Sequence, residues 1–345
     1  MLKRRLSITR LNESDNILSL RRKRNMAQLI SGIHHVTSGV GGAQEDIDFF
    51  TQIVGQRMVK QTVLFDGAES IYHLYYANRN AEIGTVMTTF PYRKAGIKAR
   101  KGSGQVKITS YTVPESSLEF WLKHLDKHGV GHGSIESRFG QKRIGFFHPC
   151  GLEFEFVADD SDKRAGWVTD EVSDAEAVRG FHSVTMSVRE VPEQERFLVD
   201  GLGFRKTGEE GPYHRFEIGD GGAQKTIFLI HEPDVPQGSW TFGEGTVHHV
   251  AFAVANDDEA TKLKLHLEGI GYTDASEVKD RDYFHSVYVR SPGGILCEIA
   301  TSDIGFEINE PMDKLGHKLL LPSWFEHRRE EIVAALEPIT NPQIK

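Results

Sequence analysis

The sequence predicts an α+β fold of four βαβββ repeats arranged as two barrel-like domains, and three observations carry that prediction. Four segments open alike, each a short strand rich in β-branched residues: SGIHHVTSGV (31–40), SGQVKITSYTV (103–113), RGFHSVTMSV (179–188) and GTVHHVAFAV (245–254). Each is followed by a stretch with apolar residues at three-to-four spacing, the mark of a helix with one buried face. These are EDIDFFTQIV (45–54), SSLEFWLKHL (116–125), EQERFLVDGL (193–202) and DEATKLKLHL (258–267), and each leaves through a glycine-containing exit. Alternating strands come next, as in SIYHLYYA (70–77), YHRFEIG (213–219) and FHSVYVR (284–290).

Fixed-period self-similarity of this kind signals duplication. The first and third units align at an offset of 148, placing Thr37 with Thr185. The second and fourth align at 141 in their first strands and at 143 in their last, where PCGLEFEF (149–156) matches PGGILCEI (292–299). The expected organisation is a basic leader at 1–25, a first pair of modules at 26–165, a second pair at 175–305, and a tail at 306–345. That tail ends in a helix, EHRREEIVAAL (326–336).

Composition bounds the function. At 345 residues, 39% hydrophobic and 26% charged, the chain is long enough to bury two domain cores. No apolar run approaches the roughly 20 residues of a membrane span. Two cysteines, Cys150 and Cys297, exclude a disulfide framework and point to a reducing, cytoplasmic compartment. Residues 1–25 carry eight Lys or Arg against two acids, a net charge of +6, which leaves −14 for the remainder. An acidic body is unsuited to phosphate, so no nucleic-acid partner is expected. The leader lacks the apolar stretch of a secretory signal and is expected to be disordered, with Met26 opening the first foldable stretch.

Chemistry concentrates at three positions. His35 and His249 occupy the same place in their strands, in the frames GIHHV and TVHHV, and Glu298 sits in an otherwise apolar final strand. A carboxylate there is costly unless paired or coordinated. Two imidazoles and a carboxylate from separate strands form a facial triad suited to non-haem Fe(II) and oxygen chemistry. Adjacent histidines alone prove little, since random placement of 16 His gives about 0.7 such pairs. The shared strand position and Glu298 decide the matter.

The repeats supply a control. Position 249 corresponds to Ile108 and His35 to Ser183, so Glu155, the counterpart of Glu298, lacks histidines to complete a second site. It is expected to be a solvated or hydrogen-bonded carboxylate. His182 is the rival third ligand, but it aligns with His34 rather than His35. Cys297 should face away from Glu298 as a packed core thiol. His124, His128 and His132 cluster near a helix end, where exposed or capping roles are expected. No dinucleotide-binding, P-loop or H-E-x-x-H motif is present.

The chain resembles the vicinal oxygen chelate superfamily, and within it the hydroquinone 1,2-dioxygenases and related ring-cleaving dioxygenases. The resemblance spans about 29–322 and rests on HHVT (34–37), AQEDIDFF (43–50), GTVMTTFP (84–91), RGFHS (179–183), HEPDVPQGSW (231–240), EGTVHHVAFAV (244–254) and YVRSPGG (288–294). It implies that His35, His249 and Glu298 bind Fe(II), with Mn(II) able to occupy the same site. It further implies roles beside the metal for His34, Thr37, His248, Arg281 and Tyr288. Thr37 shares a face with His35 and would reach a bound phenolate or water. Arg281 would stabilise oxyanion charge, while His248 and Tyr288 would move protons. His34 and His248 precede ligands, so ideal alternation points them away, and either a bulge or a hydrogen bond to the ligand from behind has to be invoked.

The implied reaction opens a para-diol ring beside a hydroxyl-bearing carbon and inserts O2, acting on a hydroquinone that may carry chlorine or methyl groups. Extradiol cleavage of a catechol, or a non-redox lyase or isomerase of the same fold, are the alternatives; the latter would use the metal as a Lewis acid. The expected partners are a small aromatic diol and O2, with no membrane. Homo-oligomer formation is left open.

Overall fold

The computed structural model describes residues 29–65 and 70–344. The basic leader and Met26 therefore lie outside the described residues. The four expected units are all present. The first holds β1 (Gly32–Val40), β2 (Arg57–Val63), β3 (Tyr72–Ala77) and β4 (Val86–Pro91). The second holds β5 (Gln105–Val113), β6 (His132–Arg138), β7 (Gln141–Phe147) and β8 (Glu153–Ala158). The third holds β9 (Gly180–Val188), β10 (Arg205–Glu210), β11 (Tyr213–Glu217) and β12 (Thr226–His231). The fourth holds β13 (Thr246–Val254), β14 (Lys279–Asp280), β15 (His285–Arg290) and β16 (Leu296–Thr301).

A helix follows the first strand of each unit: Ala43–Asp48, Leu118–Lys127, Val191–Arg196 and Asp257–Gly269. Those of the first and third units run on as π-turns, Phe49–Ile53 and Phe197–Gly201, which widen the helix where Phe49, Phe50, Phe197 and Leu198 enter the core. The fourth helix is capped by Asn256, whose side chain accepts from the Glu259 amide. The expected terminal helix covers Arg329–Ala335, preceded by a short 3-10 turn.

The strands form two eight-stranded sheets, β14-β15-β16-β13-β1-β4-β3-β2 and β10-β11-β12-β9-β5-β8-β7-β6. The sheets cut across the module pairs at 26–165 and 175–305. Each of those halves is split, so that the first unit shares a sheet with the fourth and the second with the third. The reason lies in the first strand of every unit. It pairs in parallel with the last strand of its own unit, leaving its other edge open. Open edges must be covered, and antiparallel pairing of β1 with β13 and of β5 with β9 closes both. Residues 159–179 carry the chain from β8 to β9, and so remain within one sheet. Cys297 is fully buried in the apolar core, as its alternation predicted.

Candidate metal centre

The register of the first sheet lays out the centre in two rows. Along one, Tyr288 of β15 lies opposite Glu298 of β16, then Ala251 of β13, then His35 of β1. Along the other, His249 lies opposite Thr37, then Thr88 of β4, then Tyr75 of β3. Three buried ligand atoms converge where the rows meet. His35 Nε2 is 3.0 Å from His249 Nε2 and 3.4 Å from Glu298 Oε2, and His249 Nε2 is 2.8 Å from the same oxygen.

These separations fit a metal ion. Bonds of about 2.1 Å meeting at right angles place ligand atoms about 3.0 Å apart. Glu298 Oε1 accepts from the Ser286 hydroxyl, while Oε2 is buried with no well-directed hydrogen-bond donor.

Two β-bulges explain the paired histidines. Between Ile33 and His35 the β1 strand carries one residue more than β13, and between Thr37 and Ser38 the excess lies on β13. The extra residues are His34 and His248, so each bulge turns a histidine toward the neighbouring ligand. His34 Nδ1 lies 2.9 Å from His35 Nδ1, and His248 Nδ1 lies 2.8 Å from His249 Nδ1.

Tautomers follow from this network. The Thr301 carbonyl, 3.1 Å from His34 Nε2, can only accept, so Nε2 carries the His34 proton. Burial, with His35 adding to it, pushes His34 down to about 3 and keeps it neutral. His34 Nδ1 is then an acceptor for His35 Nδ1–H, which leaves His35 Nε2 bare. His248, which burial keeps neutral, serves His249 in the same way when its own proton sits on Nε2. Three acceptors thus face one point without a proton between them, and a cation resolves that repulsion.

A cavity of about 360 Å³ opens over the triad, near the lower end of the roughly 300–1,000 Å³ usual for ligand pockets. His35, His249, Thr37, His248, Arg281 and Tyr288 all line it, which leaves only His34 and the fully buried Glu298 of the predicted site residues outside its lining. His34 sits behind His35, beneath Phe284. Arg281 Nε donates to the Tyr288 hydroxyl at 3.3 Å. Burial, with Glu298 nearby, pushes the Tyr288 phenol up, so it stays protonated at neutral pH.

One wall was not anticipated. Tyr75 Oη lies 3.0 Å from His73 Nδ1, His73 Nε2 2.9 Å from Thr88 Oγ1, and Thr88 Oγ1 2.7 Å from Thr37 Oγ1. Burial holds His73 well below its ordinary value, hence neutral. In sequence these residues read only as the polar positions of YHLYYA and TVMTTF; the histidine facing the cavity was the one available signal.

The second sheet answers the control. Glu155 is buried, neither solvated nor beside histidine ligands. It accepts from Arg138 Nη2 at 2.6 Å, Arg143 Nη1 at 2.8 Å and Ser110 Oγ at 2.9 Å. Two guanidinium groups occupy the role that a metal ion would fill in the first sheet. His182, the rival ligand, lies in this second sheet, against Gln141 and Ser183. A smaller cavity of about 180 Å³ carries charges that neutralise in pairs, Lys101 with Glu153 and Lys107 with Glu232.

Comparison with known proteins agrees with this geometry. Residues 180–299 match the Glyoxalase/Bleomycin resistance protein/Dioxygenase superfamily. Over 317 residues the chain is 40% identical to chlorohydroquinone/hydroquinone 1,2-dioxygenase of Sphingobium indicum, covering 91% of this chain and 98% of the relative. It is 37% identical to MhqO, a candidate ring-cleaving dioxygenase of Bacillus subtilis (strain 168), over 91% of this chain and 98% of the other. The crystal structure of a candidate dioxygenase from the same bacterium superposes with a TM-score of 0.86 at 35% identity, covering 92% of this chain and 99% of that one. The chain belongs to the Glyoxalase/Bleomycin resistance protein/Dioxygenase superfamily. Within it, the protein is an enzyme of the ring-cleaving, O2-incorporating dioxygenase branch.

Proposed function

We propose that the protein is an Fe(II)-dependent dioxygenase that opens the ring of a hydroquinone-type diol, chlorinated or methylated hydroquinones included. The observation that carries this reading is the convergence of His35 Nε2, His249 Nε2 and Glu298 Oε2, three buried acceptors at metal-ligand spacing on the floor of a cavity. Two nitrogen donors and one carboxylate would hold a divalent ion while leaving room beside it for substrate and O2. Fe(II) held there would supply the electron transfer between ring and O2 that protein side chains cannot. Mn(II) fits the same donor set. The 40% identity to a named chlorohydroquinone/hydroquinone 1,2-dioxygenase supports the substrate class.

The chain's own residues bind, orient and move protons. His248, neutral and stacked on Phe242, carries its proton on Nε2 when Nδ1 accepts from His249, and so is placed to donate to a substrate oxygen. Tyr288 stays protonated and serves as a donor, and Arg281 places a fixed positive charge beside it. Thr37 begins a hydrogen-bonded wall, through Thr88 to His73, that would receive the far hydroxyl of a para-diol. A catechol, with adjacent hydroxyls, would leave that wall without a partner. Phe65, Phe90 and Phe284 supply the apolar surface for the ring.

Cys150 and Cys297 are both free thiols, which supports a reducing, cytoplasmic setting. Among the described residues no helix is long and apolar enough to cross a membrane. The test is oxygen uptake by anaerobically Fe(II)-loaded enzyme given hydroquinone, a chlorinated or methylated hydroquinone, and catechol in parallel. Uptake with the para-diols and little with catechol is expected. Preference for catechol would discard the substrate class, and no uptake at all would discard the dioxygenase reading.

A further inference from the structure

Three other groups of side chains come together away from the site: Asp46 with His148 and Cys150, the Arg-bound Glu155, and a set at the end of the second unit's helix. The first two are closed on themselves. In the third, His124 and His128 lie one helical turn apart at the end of Leu118–Lys127, and Glu171 reaches them from the segment linking β8 to β9. Sequence reasoning assigned these histidines exposed or capping roles, because Glu171 is more than forty positions away and its approach is visible only in the fold.

We propose that His124, His128 and Glu171 form a second metal site, selective for a borderline divalent cation of the zinc class. His124 Nδ1 lies 3.6 Å from Glu171 Oε2, and His128 Nε2 lies 2.8 Å from the same oxygen. All three ligand atoms fall within 4.8 Å of one another. Bonds of about 2.0–2.1 Å in a tetrahedron place ligand atoms about 3.4 Å apart. The two spacings to Glu171 bracket that value.

The second observation is the far side of His124. Its Nε2 donates to the Ile53 carbonyl at 3.0 Å, which fixes the proton on Nε2 and leaves Nδ1 bare toward Glu171. A ring nitrogen tied to a carbonyl behind, with its partner nitrogen bare in front, is the arrangement that holds histidine ligands to metals. Burial lowers the His124 pKa and keeps it neutral. Hydrogen bonds from Lys127 and His128 pull Glu171 down to about 2, so its carboxylate is ionised, and a metal ion would displace the proton that His128 Nε2 now directs at it.

Lys127 Nζ competes at 2.8 Å from Glu171 Oε1, but it is 60% exposed and can swing into solvent. The remaining coordination position faces water. An ion here would clip the β8–β9 link to the second unit's helix and, through the Ile53 carbonyl, to the end of the first unit's helix.

The test uses the full chain with its triad disabled by His249→Gln and Glu298→Gln, titrated with Zn2+ alone by calorimetry. One equivalent of Zn2+ with a micromolar dissociation constant is expected, accompanied by a rise in Tm. Both His128 and Glu171 are solvent-accessible, so His128→Gln and Glu171→Gln should fold. Each should weaken binding at least tenfold and abolish the Zn2+-induced rise in Tm. The absence of any equivalent, or an equivalent that survives either substitution, overturns the assignment.

Discussion

Glu155 and Glu298 stand at corresponding places in the two sheets, yet their replacement by glutamine should have opposite consequences. At Glu155 the carboxylate balances two buried cations, with Arg138 at 2.6 Å and Arg143 at 2.8 Å. Glutamine removes the charge and leaves both guanidinium groups in the interior. Breaking a buried ion pair on one side costs about 3–5 kcal/mol, equivalent to a fall of roughly 4–7 °C in Tm for a chain of this size.

At Glu298 the metal-free situation is reversed. Oε2 faces two bare imidazole nitrogens, and a glutamine amide would donate to them while its carbonyl still accepts from Ser286. Metal-free Glu298→Gln should therefore unfold within about 1 kcal/mol of the parent, or above it, and should fail to retain Fe(II) or Mn(II). The assay is thermal unfolding of chelator-treated and metal-loaded proteins, with metal content measured on the same samples. Equal destabilisation of both metal-free variants, or metal retained by Glu298→Gln, would refute the argument from convergent lone pairs.

Three further outcomes follow from individual contacts. His34→Phe removes the acceptor that orients His35 without touching the cavity. It should weaken metal binding about 10–100-fold in a chelator competition while activity per bound metal is largely kept; unchanged affinity would contradict the tautomer assignment. His73→Phe breaks the wall between Tyr75 and Thr88. It should lower kcat/KM for para-diols by about tenfold, the loss of one hydrogen bond of about 1.4 kcal/mol, at unchanged metal content; an unaltered kcat/KM would remove His73 from substrate recognition. Burial alone would pull His148 down, but contacts with Asp46 and Cys150 outweigh it and raise it to about 9. A raised folded pKa means stability that is full below pH 6.5 and lost as pH climbs through 9. Its ceiling is about 3 kcal/mol, and the 3.4 Å separation from Asp46 keeps it below that ceiling. The stability gap between the parent and His148→Gln, measured by urea unfolding, should thus narrow from pH 6.5 to 9.5, and a constant gap would contradict the pairing.

The triad was legible because duplication offers an internal comparison. His35, His249 and Glu298 depart from Ser183, Ile108 and the differently surrounded Glu155 at matching positions, and such departures mark chemistry against a background of packing. The unit boundaries were legible for the same reason, through helix and strand periodicity. Which units share a sheet was not. The edges of β1 and β13 carry no pattern that distinguishes one antiparallel partner from another, and only the whole fold selects it. The bulges at His34 and His248 were one of two ways to reconcile these residues with alternation and were not visible in it, since a bulge is a property of two strands in register. His73, Thr88 and Tyr75 looked like ordinary polar positions because their significance comes from facing Thr37 across β4. Arg138 and Arg143 were silent for a similar reason: their charges meet Glu155 only after β6, β7 and β8 align.

The central claim is that His35, His249 and Glu298 hold a redox-active ion for oxygen chemistry, and not a Lewis acid. Its most direct test is metal exchange. The chelator-treated enzyme is reloaded anaerobically with Fe(II) or Zn(II), and O2 consumption is measured against ring-opened product from a hydroquinone. Fe(II) should give one O2 per ring opened and Zn(II), bound at the same triad, should give none. Equal turnover with Zn(II), or product formed without O2 loss, would contradict it.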